Sequence, residues 1–510
     1  MSSLVSFCGA SPIYLAFAGI IFSWYLITRW RRLHRSWVNV PVVGERGLLG
    51  FWRNVPDYSD KLNEILKVGY DKHRDFAFQV ATVRGWDVCI CNEKMVAEMQ
   101  ALPDSIFSLN AFNEEYFQTA YTSPGFVDSK PTVPVSILAK SLVWSRQRVS
   151  SETGTYFSGL VEELEYGLEV EMPENTEEDG WQQVNCFEFS SHLMLRLIAR
   201  LLFGSPLCRD PEAIDLFSRY GATVPRDGQR IARFPALLRP WFGPKFPASR
   251  MSRRLDKMLL DTMEQRRRMG LQEPEQTITD YLVNWLHSET TSDLSELSVA
   301  QMMVSVIFGS VHSAGMVLAS SIYELSARPE YIEPLREEAL ASLQSHLGWK
   351  KETIESLPKI DSFIKESHRH NPIGAASLFR LAKKDFSFRN GLKIPAGTFL
   401  YTPNSPLLND PIYYENGGVF DGMRFYKLGL QSGSPDDYKI AGQLPKSRQF
   451  GAGRHACPGK QLAADSMRLI LAYILVNCEI ERDGGSKTSK GFSFSSTIRV
   501  RVHKESGQKK

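Results

Sequence analysis

The amino-acid sequence predicts a mainly α-helical protein with small β-sheets. Residues 135–272 show predominantly the apolar repeat of helices, and residues 295–327 form one unbroken helical pattern on the order of 50 Å long. Runs typical of strands are short, bounded by turn residues, and confined to residues 76–91, 378–400 and 479–503. Helices therefore carry most of the predicted core.

The composition excludes several classes of protein. With 43% hydrophobic and 23% charged residues, the chain is globular rather than disordered. Its net charge of +3 over 510 residues is too small to indicate nucleic-acid binding. The seven cysteines are irregularly spaced and contain no CxxC pair, which argues against a disulfide framework or a structural zinc site. This cysteine usage favours a reducing compartment.

The N-terminal segment has the composition of a membrane anchor. Residues 4–28 carry no charge, and a cluster of four arginines follows between Arg29 and Arg35. An apolar run of roughly 20 residues spans a bilayer as a helix, and flanking positive residues stay in the cytoplasm. We therefore predict residues 1–35 as a single-pass anchor and residues 36–510 as one cytosolic domain. A cleaved signal peptide is the alternative, which is disfavoured because the basic cluster follows the apolar run.

The first elements after the anchor are strands. Residues 76–83 and 86–91 alternate in the manner of two strands with a turn at Arg84, and a helix is predicted at residues 93–102. Residues 107–121 are unusually rich in aromatic side chains. We interpret them either as a packed loop or as one wall of a substrate pocket.

One segment of the helical region, from Phe234 to Pro247, differs from its neighbours. Its four prolines forbid a regular helix. Its aromatic residues are interleaved with basic ones such as Arg239 and Lys245, which is typical of a segment at a membrane interface. We predict contact with lipid here, with a plain surface loop as the alternative.

Two pairs of side chains share a helix face by their spacing. Trp144 and Arg148 are four residues apart, and Glu366 and Arg369 are three apart on a helix predicted at residues 360–369. Such pairs are common on exposed helices, where they contribute little to stability. Neither pair by itself distinguishes a functional site from an ordinary surface.

The long helix at residues 295–327 has a weak centre. A capping box from Asp293 and Glu296 is predicted at its start, and Pro329 ends it. From Gly309 to Gly315 five of the seven residues are glycine, serine or alanine, and each glycine weakens a helix interior by about 1 kcal/mol. Small residues allow close approach to the backbone, either by another helix or by a flat cofactor.

Near the C-terminus, Cys457 stands in a loop rich in glycine, directly before a helical run at residues 462–476. Backbone N–H groups of such a loop, and the N-terminus of the helix after it, stabilise a thiolate. The sulfur is therefore a candidate nucleophile, half of a disulfide, or a metal ligand. A buried free cysteine is the alternative without a function.

The loop resembles the haem-ligand loop of the cytochrome P450 superfamily. Phe450, Gly453, Cys457 and Gly459 occupy every fixed position of that pattern. The rest of the chain agrees with it in order, and the resemblance implies a role for each matching residue. These are Trp144 and Arg148 for the tryptophan–arginine motif that reaches a haem propionate, Glu366, Arg369 and Arg424 for a buried ion network, and Arg380 for a second propionate contact.

The chain departs from the family pattern at two places. His455 stands where the family usually has a propionate-binding arginine, and it donates a hydrogen bond more weakly and with pH dependence. In the long helix, His312 and Ser313 replace the usual acid and threonine. A serine hydroxyl carries a proton as threonine does, but less rigidly. The resemblance thus predicts Ser313 as the proton relay and His312 as its link to solvent.

The implied fold is the cytochrome P450 fold, and the implied cofactor is haem b with Cys457 as the axial ligand of its iron. The implied activity is a monooxygenase that uses O2 and electrons from a separate NADPH–cytochrome P450 reductase. The implied location is the endoplasmic reticulum membrane. Positions in the family pattern also suggest residues that line the substrate pocket: Phe112, Phe117, Val306, Ser310, Ala314, Ile373 and Ala375.

The loop from Arg454 to Gly459, the change at His312 and the segment from Ala327 to Glu338 resemble fungal members of the ent-kaurene-oxidase-like group. That likeness implies an apolar secondary metabolite as substrate, namely a terpenoid, meroterpenoid or indole-diterpenoid. Two other functions stay open. One is a haem-thiolate isomerase or dehydratase that acts without O2, and the other is a haem-binding carrier or sensor without turnover.

Overall fold

The structure is a computed structural model. It describes residues 19, 23, 37–45, 61–82, 84–127, 132–148, 155–172, 180–270, 276–288, 293–442, 444, 448–483 and 492–503. The predicted anchor at residues 1–35 lies outside the described residues except for Gly19 and Ser23. The chain divides into two compact units, and the prediction of one domain over residues 36–510 stays a prediction. The first unit comprises Met1–Phe112, Pro235–Leu237 and Leu378–Pro403, and the second comprises the rest.

The first unit is built on a mixed five-stranded sheet of order β1-β2-β8-β5-β3. Its strands are β1 (Ala77–Thr82), β2 (Gly85–Ile90), β3 (Phe107–Ser108), β5 (Ala376–Ala382) and β8 (Phe399–Pro403). The predicted hairpin is β1 and β2, paired antiparallel with Ala77 opposite Ile90. Gly85 turns the chain with a φ of 148°, which favours glycine. Helix α1 (Glu93–Ala101) follows, capped by the Asn92 side chain.

The aromatic-rich segment at residues 107–121 is mostly helical, so it is not the packed loop that was one of its two interpretations, while the other, a wall of the substrate pocket, stays a prediction. After β3, the chain forms α2 (Leu109–Phe117) and α3 (Thr119–Thr122). Phe112 and Tyr116 are four residues apart and therefore lie about one helical turn from each other. The aromatic content of the segment does not by itself indicate this spacing. Gln118 separates the two helices with a φ of 53°, and its side chain donates to the Glu115 carbonyl at 2.8 Å.

Helices form most of the second unit. They are α4 (Val135–Arg148), α5 (Thr155–Glu171), α6 (Cys186–Phe203), α7 (Pro211–Ala232), α8 (Arg239–Phe242), α9 (Pro247–Met269), α10 (Ile278–Ser288), α11 (Glu296–Ala327), α12 (Ile332–His346), α13 (Lys351–Glu355), α14 (Pro358–His370), α15 (Ser405–Leu408), α16 (Arg424–Ser432), α17 (Pro435–Tyr438) and α18 (Lys460–Asn477). Small sheets complete the chain. They contain β4 (Gln182–Asn185), β6 (Phe386–Ser387), β7 (Lys393–Ile394), β9 (Cys478–Arg482) and β10 (Thr497–Val502), with β9 and β10 forming the expected C-terminal hairpin.

Helix α11 is the central element of the second unit and packs against α6, α7, α9, α10, α14 and α18. Within the described residues it alone is long and apolar enough to cross a membrane. Most of its side chains are buried against other helices, however, which is the pattern of a core helix. Its N-terminus is capped by Ser295 and Ser298, not by Asp293 and Glu296 as predicted. The helix begins at Glu296, so that residue occupies the first helical position rather than the third.

Candidate active site

The loop before α18 folds tightly around Cys457. The Cys457 N–H donates to the Phe450 carbonyl at 2.8 Å, and the Ala456 N–H donates to the Gly453 carbonyl at 3.1 Å. Gly451 has a φ of 71°, and a Cβ on it would lie 2.9 Å from the His455 carbonyl oxygen. Only glycine fits this turn, which brings residues 450 and 457 together and presents the sulfur.

The Cys457 side chain is accessible to solvent on one side and enclosed by protein on the others. This enclosure raises the pKa of its thiol, while the Gly459 N–H and the Lys460 charge act in the opposite direction. A Cβ on Gly459 would lie 4.0 Å from the sulfur and 3.9 Å from the Leu142 side chain, so α4 packs directly behind the loop. A metal ion that binds in place of the thiol proton could reach the Cys457 sulfur from its solvent-accessible side.

The chemistry of the donor set fits a haem. Over the described part of the chain, three or more histidine, cysteine or acidic side chains nowhere gather in a cluster that could hold a metal ion. A single accessible thiolate such as Cys457 suits an iron whose other ligands come from a macrocycle. The site therefore fits a haem that approaches the open side of the sulfur.

Glu366, Arg369 and Arg424 meet in a buried ion network. Both Glu366 oxygens accept hydrogen bonds from Arg369, at 2.7 and 2.8 Å, and from Arg424, at 3.2 Å each. The Glu366 and Arg369 side chains are fully buried. The remaining Arg369 donors reach the carbonyls of Leu408 and Gly417, both at 2.7 Å. The two arginines share the one carboxylate, and backbone carbonyls accept their further hydrogen bonds, so the network ties residues 408–424 to α14.

The network is connected to the cysteine loop through His368. This residue lies between Glu366 and Arg369 in the sequence, and its ring is 6.1 Å from the Phe450 ring. Burial, helped by the charge of Lys365, lowers the His368 pKa to about 3, so the ring is neutral. His368 was not predicted from the sequence, although its position between Glu366 and Arg369 could have indicated that it lies beside the ion network.

Trp144 and Arg148 lie on α4, which is fastened to α18. The Arg146 guanidinium binds Asp465 at 2.8 Å and Glu355 at 2.6 Å, and these ion pairs were also missed from sequence. The Trp144 ring packs on Tyr281 with centroids 5.0 Å apart. Arg148 is the last residue of α4, and its side chain lies outside what the structure describes.

The other two predicted propionate ligands lie in different settings. Arg380 is a buried residue of β5, where its guanidinium donates to the Phe379 carbonyl at 2.8 Å. His455 ends a single 3-10 turn, Gly453–His455, in the cysteine loop and is half-buried. The propionate contacts of both residues stay predictions.

The centre of α11 is open, as its small residues suggested. A Cβ on Gly309 would meet only the Phe126 ring, at 3.8 Å. The Ser313 hydroxyl donates to the Gly309 carbonyl at 2.9 Å, and the Ser310 hydroxyl donates to the Val306 carbonyl at 2.7 Å. Hydroxyls bonded back to the preceding turn tend to bend a helix. Gly309 is exposed and both serines are partly exposed, so these three residues form an open polar strip, called the groove of α11 below, on an otherwise apolar helix.

The His312 ring does not lie in this groove. Its ring packs over Gly221 of α7, where a Cβ would lie 2.1 Å from the ring. The Phe187 ring of α6 is 6.1 Å away. Burial, and then the charge of His192, lowers the pKa of His312. The imidazole is therefore neutral at neutral pH and lies on the side of α11 that faces α6 and α7.

Of the predicted pocket residues, Phe117 lies in an aromatic cluster of the second unit. Its ring contacts Phe308 at 5.3 Å, and Phe308 contacts Tyr220 at 6.3 Å. Phe112 packs in the first unit against Phe379, at 4.8 Å. The remaining members are partly buried or, for one, buried: Val306, Ser310, Ile373, Ala375 and Ala314.

Comparisons with known proteins agree with this geometry. The family described as Cytochrome P450 matches residues 137–501. The chain is 40% identical over 476 residues to cytochrome P450 monooxygenase janQ of Penicillium janthinellum, covering 93% of this chain and 94% of the relative. It is 42% identical over 481 residues to cytochrome P450 monooxygenase atmQ of Aspergillus flavus, covering 94% and 90%. For cytochrome P450 monooxygenase paxQ of Penicillium paxilli the identity is 41% over 472 residues, covering 92% and 91%. The chain therefore belongs to the cytochrome P450 family and is a monooxygenase similar to fungal members of that family.

Proposed function

We propose that this protein hydroxylates or otherwise oxidises an apolar secondary metabolite, a terpenoid, meroterpenoid or indole-diterpenoid, using O2 and electrons from an NADPH–cytochrome P450 reductase. The observation that carries the proposal is the Cys457 loop, whose backbone presents one accessible sulfur as a single metal ligand. Bound haem b supplies the activation of O2 and the oxidation of the substrate. Cys457 holds the iron, while Arg148, Arg380 and His455 are proposed to hold the propionates.

We propose three further roles for side chains of this protein: support of the cysteine loop, proton delivery and substrate binding. Glu366, Arg369 and Arg424 keep the segment beside the cysteine loop in place, because breaking one buried charge pair strands the others. Ser313 and His312 are proposed to hand protons toward the groove of α11. The aromatic cluster around Phe117 and Phe308 supports a flat, apolar substrate, since aromatic faces favour such partners.

The experiment that tests this proposal is production of the protein with a reductase in a host fed with terpenoid extracts. We expect products that carry one added oxygen, and under 18O2 their mass should rise by about two units relative to 16O2 products. Products of unchanged composition that form without O2 would instead identify an isomerase or dehydratase. The replacement of the usual acid and threonine by His312 and Ser313 is the observation that favours this second function.

Replacing Ser313 with alanine is expected to uncouple NADPH use from product formation. The Ser313 hydroxyl lies on the open side of α11 and bonds the Gly309 and Ser310 carbonyls at 2.9 and 3.1 Å. Its loss removes a proton carrier, and we expect product per NADPH to fall on the order of tenfold. The matched control is Ser320→Ala, which removes a similar back-bonded hydroxyl from a buried turn of α11. Equal coupling in the two variants would exclude Ser313 from proton delivery.

The segment from Phe234 to Pro247 is proposed to contact the membrane beside the N-terminal anchor. Leu237 and Trp241 are 72% and 73% exposed, and large apolar side chains at such exposure suit a lipid interface. Arg239, expected among the interfacial cations, is instead buried and donates to the Phe234 carbonyl at 3.1 Å. Arg239 therefore stabilises the local turn, and the exposed Leu237 and Trp241 side chains are proposed to contact the lipid.

Deleting residues 1–35 is expected to release the protein from endoplasmic reticulum membranes only in part. Adding Leu237→Asp and Trp241→Asp should complete the release, because two apolar side chains of about 1.5–3 kcal/mol each lose their lipid contact. Flotation of microsomes measures the bound fraction. Ile412→Asp, at a residue of similar exposure elsewhere, is the control. Full retention of the triple change would contradict the membrane role of this segment.

A further inference from the structure

Behind the centre of α11, two imidazoles lie against one face of α7. The His312 ring occupies the space over Gly221, which exists only because that residue lacks a Cβ. The His192 Nε2 is 3.3 Å from the Ser218 hydroxyl. Ser218 and Gly221 are three residues apart, so they share a face of α7 and are separated by about 4.5 Å along its axis. The Ser218 hydroxyl therefore contacts one ring and lies about one turn along α7 from the residue that the other ring covers.

The outer imidazole is paired with a carboxylate. The His192 Nδ1 is 2.7 Å from a Glu171 oxygen, and the Arg196 guanidinium binds the other Glu171 oxygen at 2.7 Å. Burial acts to raise the pKa of Glu171, but His192 and Arg196 outweigh it and lower that pKa. Glu171 is therefore ionised. His192 is about one third exposed, so this pair exchanges protons with solvent.

Two further polar atoms are buried close to the centre of α11. The His312 Nδ1 is buried and has no hydrogen-bond partner in the described part of the chain, and the same is true of the Ser191 hydroxyl. Ser191 packs against Gly315, one turn along α11, where a Cβ would lie 2.6 Å from its Oγ. Buried polar atoms without a protein partner are the places where internal water is held. Water bound to the His312 Nδ1 would supply the hydrogen bond that this atom lacks within the described residues.

We propose that Glu171 and His192 form the solvent end of a proton route that runs along the Ser218 face of α7 to His312 and on to the groove beside Ser313. This inference rests on the proposed monooxygenase function. Monooxygenation consumes O2, two electrons and two protons; one oxygen enters the substrate and the other leaves as water with both protons. For every proton delivered, each relay group accepts one proton and releases one, so no relay group changes its charge over a catalytic cycle.

The groups that face His312 determine its response to pH. His192 lies on α6 and is the charged group that acts on the pKa of His312, Glu171 of α5 binds His192 from behind, and the two residues of α7 described above, Ser218 and Gly221, are uncharged. A protonated His192 disfavours a second positive charge nearby. Replacing His192 with glutamine is therefore expected to raise the pKa of His312.

Nuclear magnetic resonance of histidine 13Cε1 in the ferrous–CO holoenzyme measures that pKa without turnover. The His312 signal is assigned with a His312→Gln variant. The matched control is His287→Gln, which removes an exposed histidine paired with Glu296 at 3.1 Å, and it should leave the His312 pKa unchanged. An unchanged pKa in His192→Gln as well would overturn the coupling of the two rings.

Coupling of NADPH to product is the second measurement. We expect His192→Gln to lower product per NADPH on the order of tenfold and to flatten its pH profile, with Glu171→Gln changing both in the same direction. Ser218→Ala removes only one hydroxyl, so it tests the same route if His192→Gln or Glu171→Gln fails to fold. Wild-type coupling in His192→Gln and Ser218→Ala would overturn the route while leaving the monooxygenase function intact. Absence of any NADPH-dependent product from the wild-type protein would overturn both.

Discussion

Replacing Cys457 with alanine is expected to abolish the long-wavelength Soret band of the ferrous–CO complex, because that band requires thiolate ligation. Alanine removes the one sulfur that the Phe450–Gly459 loop presents, and the loop carries no second donor of the same kind. The expected effect is complete loss of the band and of product formation. The reduced-CO difference spectrum measures the first, and a pyridine haemochrome assay measures how much haem stays bound.

The matched control for this prediction is Cys478→Ala. Cys478 is also a free cysteine and follows the opposite end of α18, but it is buried and burial raises the pKa of its thiol to about 12. We expect Cys478→Ala to keep the long-wavelength band with a small loss of stability. If Cys457→Ala retained that band, the sulfur-to-iron assignment would be wrong.

Replacing Arg369 with alanine is expected to be the most destabilising single change in the ion network. It leaves the fully buried Glu366 with the longer Arg424 bonds and one backbone bond, from the Asp421 N–H at 2.9 Å, and it strands the carbonyls of Leu408 and Gly417. Removing one partner of a buried pair costs about 3–5 kcal/mol. We therefore expect little folded haem protein, measured as the yield of the Soret-absorbing form and as the midpoint of its unfolding in urea.

The control for Arg369 is Arg268→Ala. Arg268 binds Glu264 at 2.8 Å, about the same distance as in the network, but the Arg268 side chain is 78% exposed. Exposed pairs contribute roughly 0–1 kcal/mol, so this variant should unfold close to the wild-type midpoint. Equal midpoints for the two variants would show that burial does not give the network its importance.

Much of the candidate site could be predicted from the sequence because its parts are local. The glycines at 451, 453 and 459 specify a turn, and the three-residue spacing of Glu366 and Arg369 places both on one face of α14. The errors were also local in origin. The cap of α11 was placed two residues too early, and the two interpretations of the aromatic-rich segment, a packed loop or a pocket wall, both overlooked the helical spacing that forms α2.

By itself, the sequence determined the helical class of the protein, the loop that presents Cys457 and the weak centre of α11. Only the tertiary structure shows how Arg424, which the resemblance alone placed in the network, reaches Glu366 across 58 residues of chain. The same holds for His192 and His312, which lie against the same face of α7. Spacing along a chain decides which side chains share a helix face, but packing between helices decides what each face meets. A long-range partner is therefore specified by the fold as a whole and cannot be read from either segment.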